Sequence, residues 1–275
     1  MQPKSLLPFA TRQILEIAMS VSRQVKAIAV AASPQIIDLR PLAVALISLT
    51  GFVFLLRFYE QLYAWTDGLD SFSPEFQTHW TSLLNGAFLT SGVSFTWLMA
   101  YLWKTRDRDL NAITHTLELQ RLGYLIQWLL VLAMALYWGL SFFSEQTAVW
   151  HMTAIRDTDF TPSNIVTFYI AYPMFAIIGA GAFLYARTRI PFFSKGYSLA
   201  FGVLVVGIFM TIPNVGFNEW GHTAWIMDEG FAGPLHWGFV FFGWMSLAVF
   251  GVVLQILMRI HAILGSKAIE AIGKN

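Results

Sequence analysis

The chain has 275 residues, of which 56% are hydrophobic, 16% aromatic and only 12% charged, with a mean hydropathy of +0.58. A soluble domain carries about 25% charged residues, so this surface is too apolar for water and the chain reads as an integral membrane protein. A net charge of +1 with no glycine-rich phosphate loop excludes a nucleic-acid or nucleotide binder, and the absence of cysteine excludes disulfides, iron–sulfur clusters and thiolate metal sites.

In chain order, residues 1–38 come first, where Ile14, Leu15, Ala18, Val21, Val25 and Ile28 alternate with Arg12, Arg23 and Lys26. That spacing predicts an amphipathic helix lying on the membrane surface, and the segment is too polar for a cleaved signal peptide. Six apolar stretches follow that can cross a bilayer of about 30 Å: Leu42 to Tyr59, Trp80 to Trp103, Leu122 to Phe143, Ile165 to Tyr185, Tyr197 to Pro213 and His236 to Met258. The fifth is the weakest. No repeat, low-complexity segment or linker divides the chain. The expected fold is all-α: a single polytopic helix bundle over 1–275, with a surface segment (1–38), a transmembrane bundle of about six helices (42–258) and a cytoplasmic tail (259–275).

Basic residues on short loops mark the cytoplasmic side. Fifteen of the 17 Lys and Arg fall before span one, between spans two and three, between four and five, or after span six, which places both termini in the cytoplasm. The opposite side holds only Arg57 and Arg156, together with Glu60, Asp67, Asp70, Glu75 and four of the six histidines: His79, His151, His222 and His236. Chemistry is therefore expected on the outer side. The two outer loops after spans three and five, about twenty residues each, exceed what a helix connection needs.

The most informative stretch is Asn218-Glu219-Trp220-Gly221-His222, followed by Asp228-Glu229 and Pro234-Leu235-His236. On a helix, Asn218 and His222 lie one turn apart on the same side, and the following loop can return His236 beside them. Two imidazoles and an amide oxygen suit copper, zinc, iron or nickel, with Glu219, Asp228 and Glu229 as carboxylates able to orient the imidazoles. The competing reading is that these histidines are ordinary amphipathic residues of the membrane rim. A second constellation, Glu145, Thr147, His151, Asp157, Asp159 and Asn164, has one histidine and no convergent spacing, and Arg156 beside Asp157 reads as an ion pair ordering the loop. His222 and His236 are fourteen apart, near a haem-ligand spacing. The Asp228-Glu229-Gly230 and Gly233-Pro234 interruptions argue against a haem-binding helix. A transporter is disfavoured because the ionisable residues fall mainly in loops.

Several motifs carry a family resemblance: Gly68-Leu69-Asp70-Ser71 with Pro74-Glu75-Phe76, Trp103-Lys104-Thr105-Arg106-Asp107-Arg108, and Trp150-His151 leading into Ile155-Arg156-Asp157-Thr158-Asp159. Tyr185-Ala186-Arg187-Thr188-Arg189, Asn218-Glu219-Trp220-Gly221-His222 and Pro234-Leu235-His236-Trp237 continue the series. With these, the chain resembles the C subunit of the membrane-bound copper monooxygenases, which include the particulate methane, ammonia and short-chain hydrocarbon enzymes. The resemblance implies A and B partner subunits in a trimer of heterotrimers, in a bacterial inner or intracytoplasmic membrane. It also implies insertion of one atom of dioxygen into a C–H or N–H bond, with quinol as electron donor. It further implies a copper site on the outer side at Asn218, His222 and His236. The family's second copper position takes an aspartate and two histidines, where this chain has Thr147, His151 and Asn164, so that position is degenerate. The alternative reading is a scaffold subunit without a metal of its own.

Overall fold

The computed structural model describes residues 37–139, 161–209 and 238–272. Among them every regular element is helical: α1 (Arg40–Asp67), α2 (Pro74–Lys104), α3 (His115–Tyr137), α4 (Pro162–Arg189), a short α5 (Pro191–Lys195), α6 (Leu199–Phe209) and α7 (Gly238–Ile272). Five of these, α1 to α4 and α7, are long and apolar enough to cross a membrane, and α6 is a shorter apolar helix. The chain is a helical membrane bundle, as the composition requires. The amphipathic segment expected over 1–38 lies outside the described residues, apart from its last two.

The helices overrun the apolar stretches because a helix ends where its backbone finds a cap, not where hydropathy falls. Thr114 caps α3 by accepting from the Leu117 N–H, and Ser73 caps α2 by accepting from the Phe76 N–H at 3.1 Å, with Pro74 and Glu75 filling a favourable first turn. As a result Arg57 and Glu60, expected in an outer loop, lie inside α1. The Glu60 side chain points into the bundle and is 1% exposed. Its place follows from spacing: Leu49, Val53, Leu56, Glu60 and Ala64 recur at three- and four-residue intervals and form the buried stripe of α1.

Helix α4 is the centre of the bundle, with 67% of its apolar window buried against 6% for α2. Both α2 and α3 pack along it, and α1 packs on α3 and on the start of α4. Glycines mark the closest approaches. A side chain at Gly179 would strike Ile208 of α6, one at Gly181 would strike Trp128 of α3, and one at Gly207 would strike Met245 of α7. Leu39–Ile263 forms one compact unit, and α7 continues beyond it to Ile272.

Two ends of the bundle follow from this antiparallel packing. One gathers Asp67, Pro74, Gly139 and Pro162; the other gathers Arg40, Lys104, His115 and Arg189. The Arg189 end is cross-bonded. Arg189 donates to Leu102 O at 3.2 Å and to the hydroxyls of Thr105 and Thr188. Arg121 donates to Arg189 O at 2.6 Å and holds Asp107 with both of its terminal nitrogens, at 2.8 and 3.1 Å. Glu118, buried on α3, takes two 2.9 Å hydrogen bonds from Arg259 of α7. The Trp103–Arg108 and Tyr185–Arg189 motifs of the sequence thus meet each other, and their polar residues close this end.

Candidate functional site

The Asp67 end is built differently. Helix α1 stops at Gly68, where an added Cβ would meet Ala64 O and Pro162 Cγ, so only glycine lets the start of α4 sit this close. Asp70 then folds the connection to α2: its carboxylate accepts from the Phe72 N–H at 3.0 Å, and its carbonyl accepts from the Ser73 N–H at 3.1 Å. Gln77 Nε2 donates to Ser71 O at 2.7 Å and closes the turn. The Gly68–Ser71 and Pro74–Phe76 motifs are therefore one tight helix–helix corner.

That corner brings Asp67 and His79 together. His79 Nδ1 lies 2.7 Å from Asp67 Oδ2, its ring stacks on Tyr63 at 4.3 Å, and its carbonyl accepts from the Tyr59 hydroxyl at 3.2 Å. Trp80, fully buried beside it, packs edge-on against Tyr59 and donates through Nε1 to Tyr63 O at 3.3 Å. Sequence reasoning counted Asp67 and His79 only as separate outer polar residues. The signal it missed was the Asp70–Pro74 turn between them, which reverses the chain and sets the end of α1 against the start of α2.

The backbone at this end is also irregular. Gln77–Thr81, Trp138–Gly139 and Ile165–Ala171 are π-helical. In α2, Ser82 Oγ donates to Gln77 O, five residues back. In α4 the cause is Pro173, which has no N–H to offer Tyr169 O and crowds that carbonyl, so the preceding turn widens. All three π segments among the described residues stand at the Asp67 end, and such widened turns are frequent at functional sites.

Of the sequence-predicted ligands, only Asn164 lies within the described residues. It sits in the first turn of α4, is 0% exposed, and its N–H donates to the capping Thr161 Oγ1. Ser163 and Thr167 are buried beside it in sequence, and Ser163 Oγ has no hydrogen-bond partner among the described residues. Thr147, His151, Asn218, His222 and His236, with the orienting carboxylates Glu219, Asp228 and Glu229, lie outside the described residues. The chain between Gly139 and Thr161, which carries Thr147 and His151, joins α3 to α4 at the Asp67 end. Among the described residues no three His, Asp or Glu side chains converge as a metal site.

Two comparisons bear on what this architecture is. No curated protein matches the chain. The family model for the C subunit of ammonia monooxygenase and methane monooxygenase matches residues 23–267, from the expected surface segment to the last turns of α7. That match takes in both cross-bonded motifs of the Arg189 end, the Asp67–His79 corner and the Asn218-to-His236 stretch, and the chain belongs to the family of ammonia and methane monooxygenase C subunits.

Proposed function

We propose that this chain is the C subunit of a copper-dependent membrane monooxygenase. The complex inserts one oxygen atom of dioxygen into a C–H or N–H bond of methane, a short alkane or ammonia. The observation that carries the reading is the family match over residues 23–267, which spans Asn218, His222 and His236. The donor set fits copper: two neutral imidazoles and an amide oxygen, with no thiolate in the chain and free coordination positions left over. Bound there, copper supplies the redox chemistry for activating dioxygen. The chain's own contribution would be these three donors, Asn218, His222 and His236, which would hold the metal within reach of an apolar substrate. Glu219, with Asp228 or Glu229, would supply the carboxylates that orient the imidazoles by accepting their second N–H.

The second position does not fit tight copper binding. Thr147 offers no anionic oxygen, and Asn164 is held in a capped first turn with an amide, a weak ligand. The A and B subunits complete the complex as a trimer of heterotrimers, and quinol provides the electrons. The basic residues support the orientation: Lys104, Arg106, Arg108, Arg121, Arg187, Arg189 and Lys195 all belong to the Arg189 end, which then faces the cytoplasm, with the Asp67 end outside. Turnover of the purified complex tests the proposal. His222→Ala should leave assembly intact and abolish substrate oxidation. Retained turnover would make the chain a scaffold for chemistry housed in its partners.

A further inference from the structure

A groove of about 230 Å³ lies between α6 and α7, walled by Leu199, Val203, Val206 and Trp244. The two helices run antiparallel along it: Ser198 Oγ donates to Gln255 Oε1 at 2.6 Å, a Cβ at Gly251 would strike Ala200, and one at Gly207 would strike Met245. From Tyr197 to Gly207 the groove follows the chain for about 15 Å at the helical rise, half the hydrocarbon thickness of about 30 Å. It starts at the Arg189 end and so occupies the leaflet on that side. Leu199, Val206 and Trp244 are each more than half exposed, which opens the groove to lipid.

The mouth of the groove is basic. Arg187 donates to Phe193 O and, at 2.7 Å, to Gly196 O, which places its guanidinium at the residue between Lys195 and Tyr197. Lys195 is exposed, and neither cation meets a carboxylate among the described residues. Tyr197 is also exposed, and its hydroxyl makes no hydrogen bond among the described residues. A Cβ built on Gly202 would come within 2.8 Å of that hydroxyl, so the phenol lies forward along α6 with its oxygen inside the groove.

We propose that this groove binds an anionic glycerophospholipid of the leaflet at the Arg189 end. The order of groups along the groove is the order along such a lipid. The phosphate meets Lys195 and Arg187 at the mouth, an ester carbonyl accepts from the Tyr197 hydroxyl, and one acyl chain runs between α6 and α7 toward Gly207 and Trp244. The positive end of the α6 dipole, where Ser198 caps the Phe201 N–H, adds to the same mouth. Two cations without a carboxylate attract a headgroup of net negative charge and repel the choline of a zwitterionic one. A helix about 10 Å across cannot enter a groove of this volume, and free phosphate would use the mouth and leave the apolar walls bare. Neither the groove nor its charges depend on the reaction that the complex performs.

The test is photolabelling of the whole complex in phosphatidylcholine nanodiscs with phosphatidylglycerol that carries a diazirine on its acyl chain, the labelled peptides being mapped by mass spectrometry. Label should fall on residues 199–207 and on the peptide holding Trp244, and excess unlabelled phosphatidylglycerol should displace it while inorganic phosphate does not. A phosphatidylcholine with the same diazirine should label these residues at least about fivefold less, and Lys195→Ala should lower phosphatidylglycerol labelling about fivefold, with Lys195→Arg restoring it. Tyr197→Phe, which removes the donor alone, should lower it about threefold. Val206→Trp, which fills the groove from its exposed side, should bring it down to the phosphatidylcholine level while the complex stays assembled. Equal labelling by the two lipids, displacement by inorganic phosphate, or labelling unchanged in Lys195→Ala and Val206→Trp overturns the site. So does an unlabelled α6 that instead crosslinks from Val206→Cys to a helix of a neighbouring subunit.

Discussion

Two buried glutamates, one near each end of the bundle, contrast the work of the two ends. Glu118 at the Arg189 end joins α3 to α7 through two 2.9 Å hydrogen bonds from Arg259, 141 residues away. Glu60, toward the Asp67 end, is as deeply buried, yet its partner is Arg57, three residues back on the same helix, through one hydrogen bond of 3.3 Å. A pair within one helix contributes about 0.3–0.5 kcal/mol when exposed, far less than the several kcal/mol that burying a carboxylate costs. Among the described residues Glu60 makes no bond to another helix. The Arg189 end is a clamp in which each buried charge ties two elements together. The Asp67 end tolerates widened turns and, among the described residues, a buried hydroxyl without a partner and a carboxylate that ties no second helix. Residues 140–160, which carry Thr147 and His151, follow α3 at the second kind of end.

The contrast can be broken by mutation, starting with the largest effect. Arg189→Ala removes bonds to Leu102 O, Thr105 and Thr188 and leaves a buried carbonyl without its donor, so it should cost roughly 3 kcal/mol. A lower midpoint in denaturant titration of the detergent-solubilised complex reads it, and an unshifted midpoint would show that this end is no clamp. Glu118→Gln keeps one hydrogen bond to Arg259 and loses the charge, for an expected loss of about 1–2 kcal/mol by the same titration.

Glu60→Gln sharpens the comparison because its sign should differ. Replacing a buried carboxylate that fastens no second helix with a neutral amide should leave the midpoint unchanged or raise it by up to about 1 kcal/mol. A loss as large as that of Glu118→Gln would erase the distinction between the ends. Smallest of all, Ser163→Ala removes a buried hydroxyl that has no partner among the described residues, and should change stability by no more than about 0.5 kcal/mol, in the stabilising direction.

The bundle was legible in the sequence because membranes make hydropathy nearly decisive: each spanning helix must satisfy its own backbone, so long apolar runs have one outcome. What hydropathy could not resolve was the ends. Ending the first span at Tyr59 leaves Glu60 in a loop, whereas the three- and four-residue spacing from Leu49 to Ala64 already puts it on the inward stripe. The Asp67–His79 pair stayed hidden because the residues are twelve apart and only the Asp70–Pro74 corner joins them. The resemblance motifs were recognised as markers, but their physical role appeared only when Asp107, Arg121 and Arg189 were seen to bond one another. Of the candidate ligands only Asn164 lies among the described residues, buried in the capped first turn of α4.

The central claim is that metal chemistry belongs to the ligand-bearing segment and not to the clamp. It is tested most directly by copper per C subunit, with the copper EPR signal, in three purified complexes: native, His222→Ala/His236→Ala, and Glu118→Gln. The account predicts one copper fewer per C subunit and an altered signal in the double variant, with native copper in Glu118→Gln. Equal copper in the native and double-variant complexes would contradict it.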